Sequence, residues 1–429
     1  MSDGGDPAKL CSRSRPIQSR GVVSVLARRV AGPVPWLARR AATGGERTAL
    51  TTPTADFSLM GLEDEIDELR EEIQSTPYNK STEAHIGRLK SKLAEKKEKL
   101  ENQSSAGGGT GYSVEKSGDA TVALVGFPSV GKSTLINALT NAQSDVGDYE
   151  FTTLNVNPGM LKHRGANIQI LDVPGLIEGA ASGRGGGREV LSVVRTADLV
   201  VFVLSVFEID QYDRLAHELY ENKVRLDTTP ASVSITKDHT GGLRVTTSDD
   251  VTMENETIKD VLREHGYVNA EVTVRGDVSI DELIDSIMDN RVYLPSIVSV
   301  NKADLIDEEY LPTVKDDLRT HDIDPEEAIF ISAEEELGLD GLKERIWEKL
   351  GLIRVYMDKP GRGVDYEEPL VLPPASTIED ACLDIGGDEF LDRFRFARVS
   401  GNSAKHNDQQ VGKTHELADE DVLRIIVRK

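Results

Sequence analysis

The chain has 429 residues, 38% of them hydrophobic, and a formal net charge of −24. At roughly 150 residues per domain this length accommodates two to four domains. No run approaches the ~20 apolar residues of a membrane span, so no membrane partner is expected, and the acidity opposes a chain-wide nucleic-acid surface, so DNA is not expected as a partner. The two cysteines, Cys11 and Cys382, argue against a disulfide framework and make a cytoplasmic location the expectation.

Charge is uneven along the chain. The first 59 residues carry nine Lys/Arg against four Asp/Glu. They are basic and acid-poor, as an organelle transit peptide is, but lack a secretory apolar run, and the expectation is a disordered or mis-annotated extension, with Met60 as the working start. Acids recur throughout the rest (Asp249-Asp250, Glu308-Glu309, Glu334-Glu335-Glu336, Asp419-Glu420-Asp421). A uniformly acidic surface of this kind is suited to a salt-rich, halophilic cytoplasm, where self-repulsion is screened.

From Met60 the pattern becomes regular. Leu62, Ile66, Leu69 and Ile73 repeat at helical spacing, as do Ile86, Leu89, Leu93 and Leu100, with a turn at 75–79 between them. Residues 60–105 therefore read as a helical hairpin, whose Lys90–Lys99 face is either solvated or turned to RNA phosphates. Residues 106–120 read as a linker.

Short apolar strands follow at 121–125, 168–173, 199–204, 296–300 and 328–331, separated by helical stretches. That alternation predicts an α/β domain over 121–206 and 291–352, with a mostly parallel sheet covered on both faces. The long interval 207–290 carries alternating segments and two helical patterns, Ile258/Val261/Leu262 and Ile280 to Met288, and reads as a small inserted α/β module.

The first strand runs into Gly126-Phe127-Pro128-Ser129-Val130-Gly131-Lys132-Ser133-Thr134, the full P-loop pattern in strand-to-helix context. Backbone N–H groups of such a loop surround phosphate oxygens, Lys132 reaches the β- and γ-phosphates, and Ser133 offers its hydroxyl to Mg²⁺. Asp172-Val173-Pro174-Gly175 ends the second strand. Asp172 is placed to hold Mg²⁺, and Gly175 leaves room for its N–H at the γ-phosphate. Thr153, within Tyr149–Leu154, is the candidate third metal group and γ-phosphate sensor. Asn301-Lys302-Ala303-Asp304 follows the fourth strand and Ser332-Ala333-Glu334 the fifth. Asp304 would accept from guanine N1–H and its 2-amino group, Lys302 would cover the base, Asn301 would tie that loop to the P-loop, and Ala333 N–H would meet O6.

These motifs, with Gly183-Arg184-Gly185-Gly186-Gly187-Arg188 and Asn79–Ile86, resemble the developmentally regulated GTP-binding protein family of the Obg-like GTPases, archaeal type. The resemblance covers 60–429. It implies a GTPase domain, a ribosomal-protein-like insertion, and a β-grasp TGS domain at 353–429, in which Ile378 opens a helix and Asp419–Leu423 leads to the last strand. It also implies GTP hydrolysis to GDP and phosphate with Mg²⁺, catalysed through Lys132, Thr153 and Gly175, and a ribosome or RNA partner in translation.

Two positions depart from relatives. Ser129 stands where many carry an Asn associated with K⁺, which leaves potassium dependence open. Leu176 stands where Ras-like enzymes place a water-orienting Gln, so intrinsic turnover should be slow and raised by a cation or a regulatory protein. The competing readings are an RNA or ribosome adaptor that holds nucleotide with little turnover, and an ATPase of the same loop class.

Overall fold

The computed structural model describes residues 56–105, 117–140, 158–173, 192–359 and 361–428. The extension read over 1–59 lies outside them up to residue 55. Helix α1 (Asp56–Ser75) starts ahead of Met60, so the compositional break falls inside a helix rather than before one. Helix α2 (Glu83–Ser105) returns antiparallel to it. Asn79 makes the turn, accepting from Ser81 N at 3.0 Å and Thr82 N at 3.2 Å.

Three of the lysines of α2 are engaged by carboxylates. Lys90 pairs with Asp281 at 2.5 Å, Lys97 with Glu221 at 2.6 Å, and Lys96 with Glu65. Lys90 and Lys97 thus seat the hairpin on carboxylates outside it, while Lys96 ties α2 to α1, and Ile86 and Leu89 are buried on the same helix.

The main domain contains β1 (Ala120–Val125), α3 (Lys132–Leu139), β2 (Pro158–His163), β3 (Ala166–Asp172), β4 (Leu199–Ser205), α4 (Gln211–Glu221) and β5 (Val224–Leu226). The inserted stretch supplies β6 (Ser232–Lys237), β7 (Leu243–Thr247), α5 (Asn255–Glu264), β8 (Ala270–Arg275) and α6 (Ile280–Met288). The chain then re-enters through β9 (Val292–Leu294), β10 (Ser296–Asn301), α7 (Leu311–Thr320), β11 (Ile329–Phe330) and α8 (Leu339–Leu350). The large sheet has the order β11-β10-β4-β1-β3-β2, parallel except for the edge strand β2. β2 escapes a reading based on apolar runs because its residues, Pro158 to His163, are mostly half-buried.

Every residue of β1 and β4 is buried, as the unbroken apolar runs require of strands covered on both faces. α3 and α8 pack on one face, around Leu135, Ile346 and Trp347; α4 and α7 cover the other, around Leu215, Leu219 and Leu318. Helix α4 thus belongs to the core of the large sheet, although it lies within the 207–290 stretch read as inserted. The three-stranded sheet β6-β8-β7 has its own core with α5 and α6, around Ile258, Val272 and Leu283. A fully buried aliphatic side chain contributes about 1.5–3 kcal/mol, so each core can hold its own layer.

The C-terminal unit comprises β12 (Ile353–Lys359), β13 (Gly363–Leu372), α9 (Ile378–Asp392), β14 (Phe394–Ser400), β15 (Gln409–Val411) and β16 (Asp421–Val427). Its sheet order is β13-β12-β16-β14-β15, with β12 and β16 parallel in the centre. One helix packed on such a mixed sheet is a β-grasp arrangement. Thr377 caps α9 reciprocally with Asp380. The last strand begins at Asp421 itself, because the buried Asp421 carboxylate accepts from Ser403 N and Ala418 N and anchors the strand entry.

Candidate functional site

The carboxyl ends of β1, β3, β4, β10 and β11 bring the separate motifs together, as parallel topology demands. The loop after β1 turns through Ser129 (φ 65°) and Gly131 (φ 99°) into α3. Both glycines of the loop meet close neighbours. A Cβ on Gly126 would collide with the Val203 carbonyl, and one on Gly131 with Asn301 Nδ2. At Gly131 the positive φ adds a second reason for glycine.

Lys132 is buried, and its ammonium donates to the carbonyls of Gly126 (2.8 Å) and Phe127 (3.1 Å) at the loop mouth. Burial pulls its pKa below the ordinary lysine value, and the charge of Asp172 only partly restores it. A phosphate chain would supply the missing negative charge.

Ser133 Oγ donates to Asp172 Oδ2 at 2.9 Å. The other oxygen, Oδ1, is buried and has no hydrogen-bond partner among the described residues. A hydroxyl and an orphaned carboxylate oxygen in one place form a hard oxygen donor set, which fits Mg²⁺. Thr153, the third expected metal group, lies outside the described residues, as do Gly175, Leu176 and the glycine cluster 183–188.

Asn301 ends β10 fully buried and faces two loops at once. Its Nδ2 donates to the Val130 carbonyl at 2.8 Å, and its Oδ1 accepts from Ala333 N at 3.0 Å. The side chain therefore joins the P-loop to the loop after β11. Lys302 adopts φ 66° and opens a short 3-10 turn, Ala303–Leu305, which leaves Asp304 exposed at the same edge. Ala303 N donates to Ile331 O at 3.0 Å, fixing this turn against β11. Ser332 Oγ accepts from Glu335 N at 3.1 Å and shapes the loop that carries Ala333 and Glu334. The Ala333 N–H is already engaged by Asn301, so it can read a base oxygen only by sharing. The motif implies a single tie of Asn301 to the P-loop; its second bond, to Ala333 in the loop after β11, depends on strand adjacency.

Residues 121–237 match the family described as "50S ribosome-binding GTPase", 240–352 the "C-terminal region of MMR_HSR1 domain", and 353–427 the TGS domain. Over 371 residues the chain is 65% identical to a GTP-binding protein of Halobacterium salinarum, covering 86% of this chain and 100% of the relative. A GTP-binding protein of Methanocaldococcus jannaschii is 47% identical over 372 residues, covering 86% of this chain and 94% of the relative. Developmentally-regulated GTP-binding protein 1 of Xenopus laevis is 40% identical over 367 residues, covering 84% of this chain and 98% of the relative.

Proposed function

The chain belongs to the developmentally regulated GTP-binding protein family, and on that premise we propose that it is a Mg²⁺-dependent GTP hydrolase acting as a switch on the ribosome. The observation that carries the nucleotide reading is the Asn301 bridge, which locks the phosphate loop to the loop expected to meet the base. Such a bridge fixes the distance between phosphate and base recognition, and so suits one rigid nucleotide rather than a free phosphate.

Each residue then has a task. The loop N–H groups and the start of α3 surround the phosphates, and Lys132 exchanges its two carbonyl partners for β- and γ-oxygens. Ser133 and Asp172, with Thr153, would hold Mg²⁺, which supplies positive charge where the leaving phosphate gains negative charge. Asp304 accepts two donors of guanine that adenine lacks, with Lys302 over the ring and the Ala333–Glu334 backbone at O6. The Gly175 N–H would meet the γ-phosphate, as its Asp172-Val173-Pro174-Gly175 motif implies. Since Leu176 cannot orient water, a ribosome, a regulatory protein or K⁺ near Ser129 is expected to complete the site.

The ribosomal reading draws on the description matched by residues 121–237. The acidic surface suits a salt-rich cytoplasm, and one relative comes from Halobacterium salinarum. The test is co-sedimentation of the full chain with ribosomes in GTP, GDP and a non-hydrolysable GTP analogue, alongside single-turnover hydrolysis with and without ribosomes. Binding that depends on the nucleotide, with faster turnover on ribosomes, is expected. Nucleotide-independent binding without hydrolysis would make the protein an adaptor, and equal competition by ATP would overturn guanine selection.

A further inference from the structure

Strands β2 and β3 form a hairpin that runs from the nucleotide site to the TGS domain. β3 ends at Asp172, beside Ser133. The hairpin reverses through Arg164 (φ 51°) and Gly165 (φ 87°), the two-residue turn that matches strand twist. Among the described residues β2 is an edge strand bonded only to β3, so it is the less restrained of the two. Its Gly159 lies against α3: a Cβ there would stand 2.5 Å from Thr140 Cγ2 and 2.9 Å from Ile136 Cγ2. The helix that begins with Lys132 and Ser133 therefore presses directly on the hairpin.

The turn at the other end presses on the TGS domain. A Cβ on Gly165 would stand 2.5 Å from Pro369 Cγ in β13. Arg164 Nη2 pairs with Glu344 Oε2 at 2.6 Å, and His163 Nε2 lies 3.2 Å from Glu344 Oε1. The Arg164 guanidinium also lies over the Trp347 ring at 6.0 Å, and Arg354 of β12 lies over the same ring at 5.6 Å. One indole is thus shared by cations of two domains, and Val371 of β13 joins the core that contains it.

We propose that the β2–β3 turn is a nucleotide-operated contact on the TGS domain. It rests on the reading of the P-loop as a GTP site. Exchange of GTP for GDP repositions α3 and the Asp172 end of β3. The paired hairpin moves as a rigid piece, and because close-packed contacts shift between discrete arrangements rather than stretch, the Arg164/Gly165 contact on Trp347 and Pro369 changes with it. By linkage, a contact that senses the nucleotide must also bias nucleotide choice.

The two tryptophans are Trp36 and Trp347, so Trp36→Phe in the full chain leaves Trp347 as sole reporter. Its emission and acrylamide quenching are recorded with Mg²⁺ and either GDP or a non-hydrolysable GTP analogue, while calorimetry measures the affinity of each. A nucleotide-dependent difference is expected. Adding Arg164→Ala should abolish it and change the ratio of the two affinities by about 5-fold or more. Arg319→Ala, which cuts an exposed ion pair to Asp316, should do neither. Identical Trp347 signals with both nucleotides demonstrably bound overturn the proposal, as does an unchanged affinity ratio in Arg164→Ala. Failure of either nucleotide to bind in the calorimeter removes the site reading itself, and the contact proposal with it.

Discussion

Replacing Asn301 with Ala tests the keystone of the site. The side chain is 3% exposed, and its two partners belong to residues equally buried, Val130 at 0% and Ala333 at 4%. The substitution strands one carbonyl and one N–H, each costing roughly 1–3 kcal/mol when left without a partner. A water entering the vacated volume offsets part of this, so a loss of about 2–4 kcal/mol is expected. A loss of that size shared with binding lowers GTP affinity by about 30-fold or more. Gly131→Ala supplies the control, because its Cβ would collide with Asn301 Nδ2 at a backbone φ of 99°. The collision vanishes when Asn301 is already Ala, so the two substitutions should be non-additive by roughly 0.5–3 kcal/mol, whereas the backbone strain persists. Urea unfolding followed through Trp347 in a Trp36→Phe background, where Trp347 shares a core cluster with Val130, gives the stabilities, and calorimetric titration gives the affinities. A wild-type unfolding midpoint and GTP affinity in Asn301→Ala, or full additivity with Gly131→Ala, would refute the bridge.

Three further outcomes are expected. Lys132→Met should abolish tight GTP binding yet leave the nucleotide-free protein as stable or more so, since burial disfavours the charged amine. The unfolded chain holds that proton more firmly than the folded one, so wild-type stability should rise with pH between the lowered folded value and the ordinary 10.5, a slope the variant lacks in pH-resolved melts. Asp304→Asn should move preference from GTP towards xanthosine triphosphate, costing GTP at least about tenfold in affinity, and unaltered selectivity in a folded variant would show that Asp304 does not read the base. Asp285→Ala should cost about 3–5 kcal/mol in chemical denaturation, because its buried carboxylate pairs with Arg225 Nε and Arg291 Nε, both at 2.6 Å, and its loss would leave two largely buried guanidiniums without their counter-charge; a loss under about 1 kcal/mol would mean that water reaches them.

Local chemistry was legible in the sequence alone. The unbroken apolar runs of β1 and β4 require burial on both faces, and the strand-to-helix glycines around Lys132 require a phosphate-sized nest. The extent of α6, Ile280 to Met288, was legible in its helical apolar spacing, and the structure adds the reciprocal cap between Ser279 and Glu282 at its start. What depends on distant neighbours was not legible. The lysines of α2 read as a face for solvent or RNA, and only the docked hairpin shows Asp281 and Glu221 waiting for them. The amphipathic pattern of α4 says that one face is buried but not in which of two adjacent cores Leu215 and Leu219 sit. Asn301 gains its double role because strand order sets β10 between β4 and β11, bringing Val130 and Ala333, 171 and 32 residues away, within reach of one amide. Periodicity and turn chemistry act within about a dozen residues, whereas those pairings are settled only when the sheet closes and each buried polar group must find its partner.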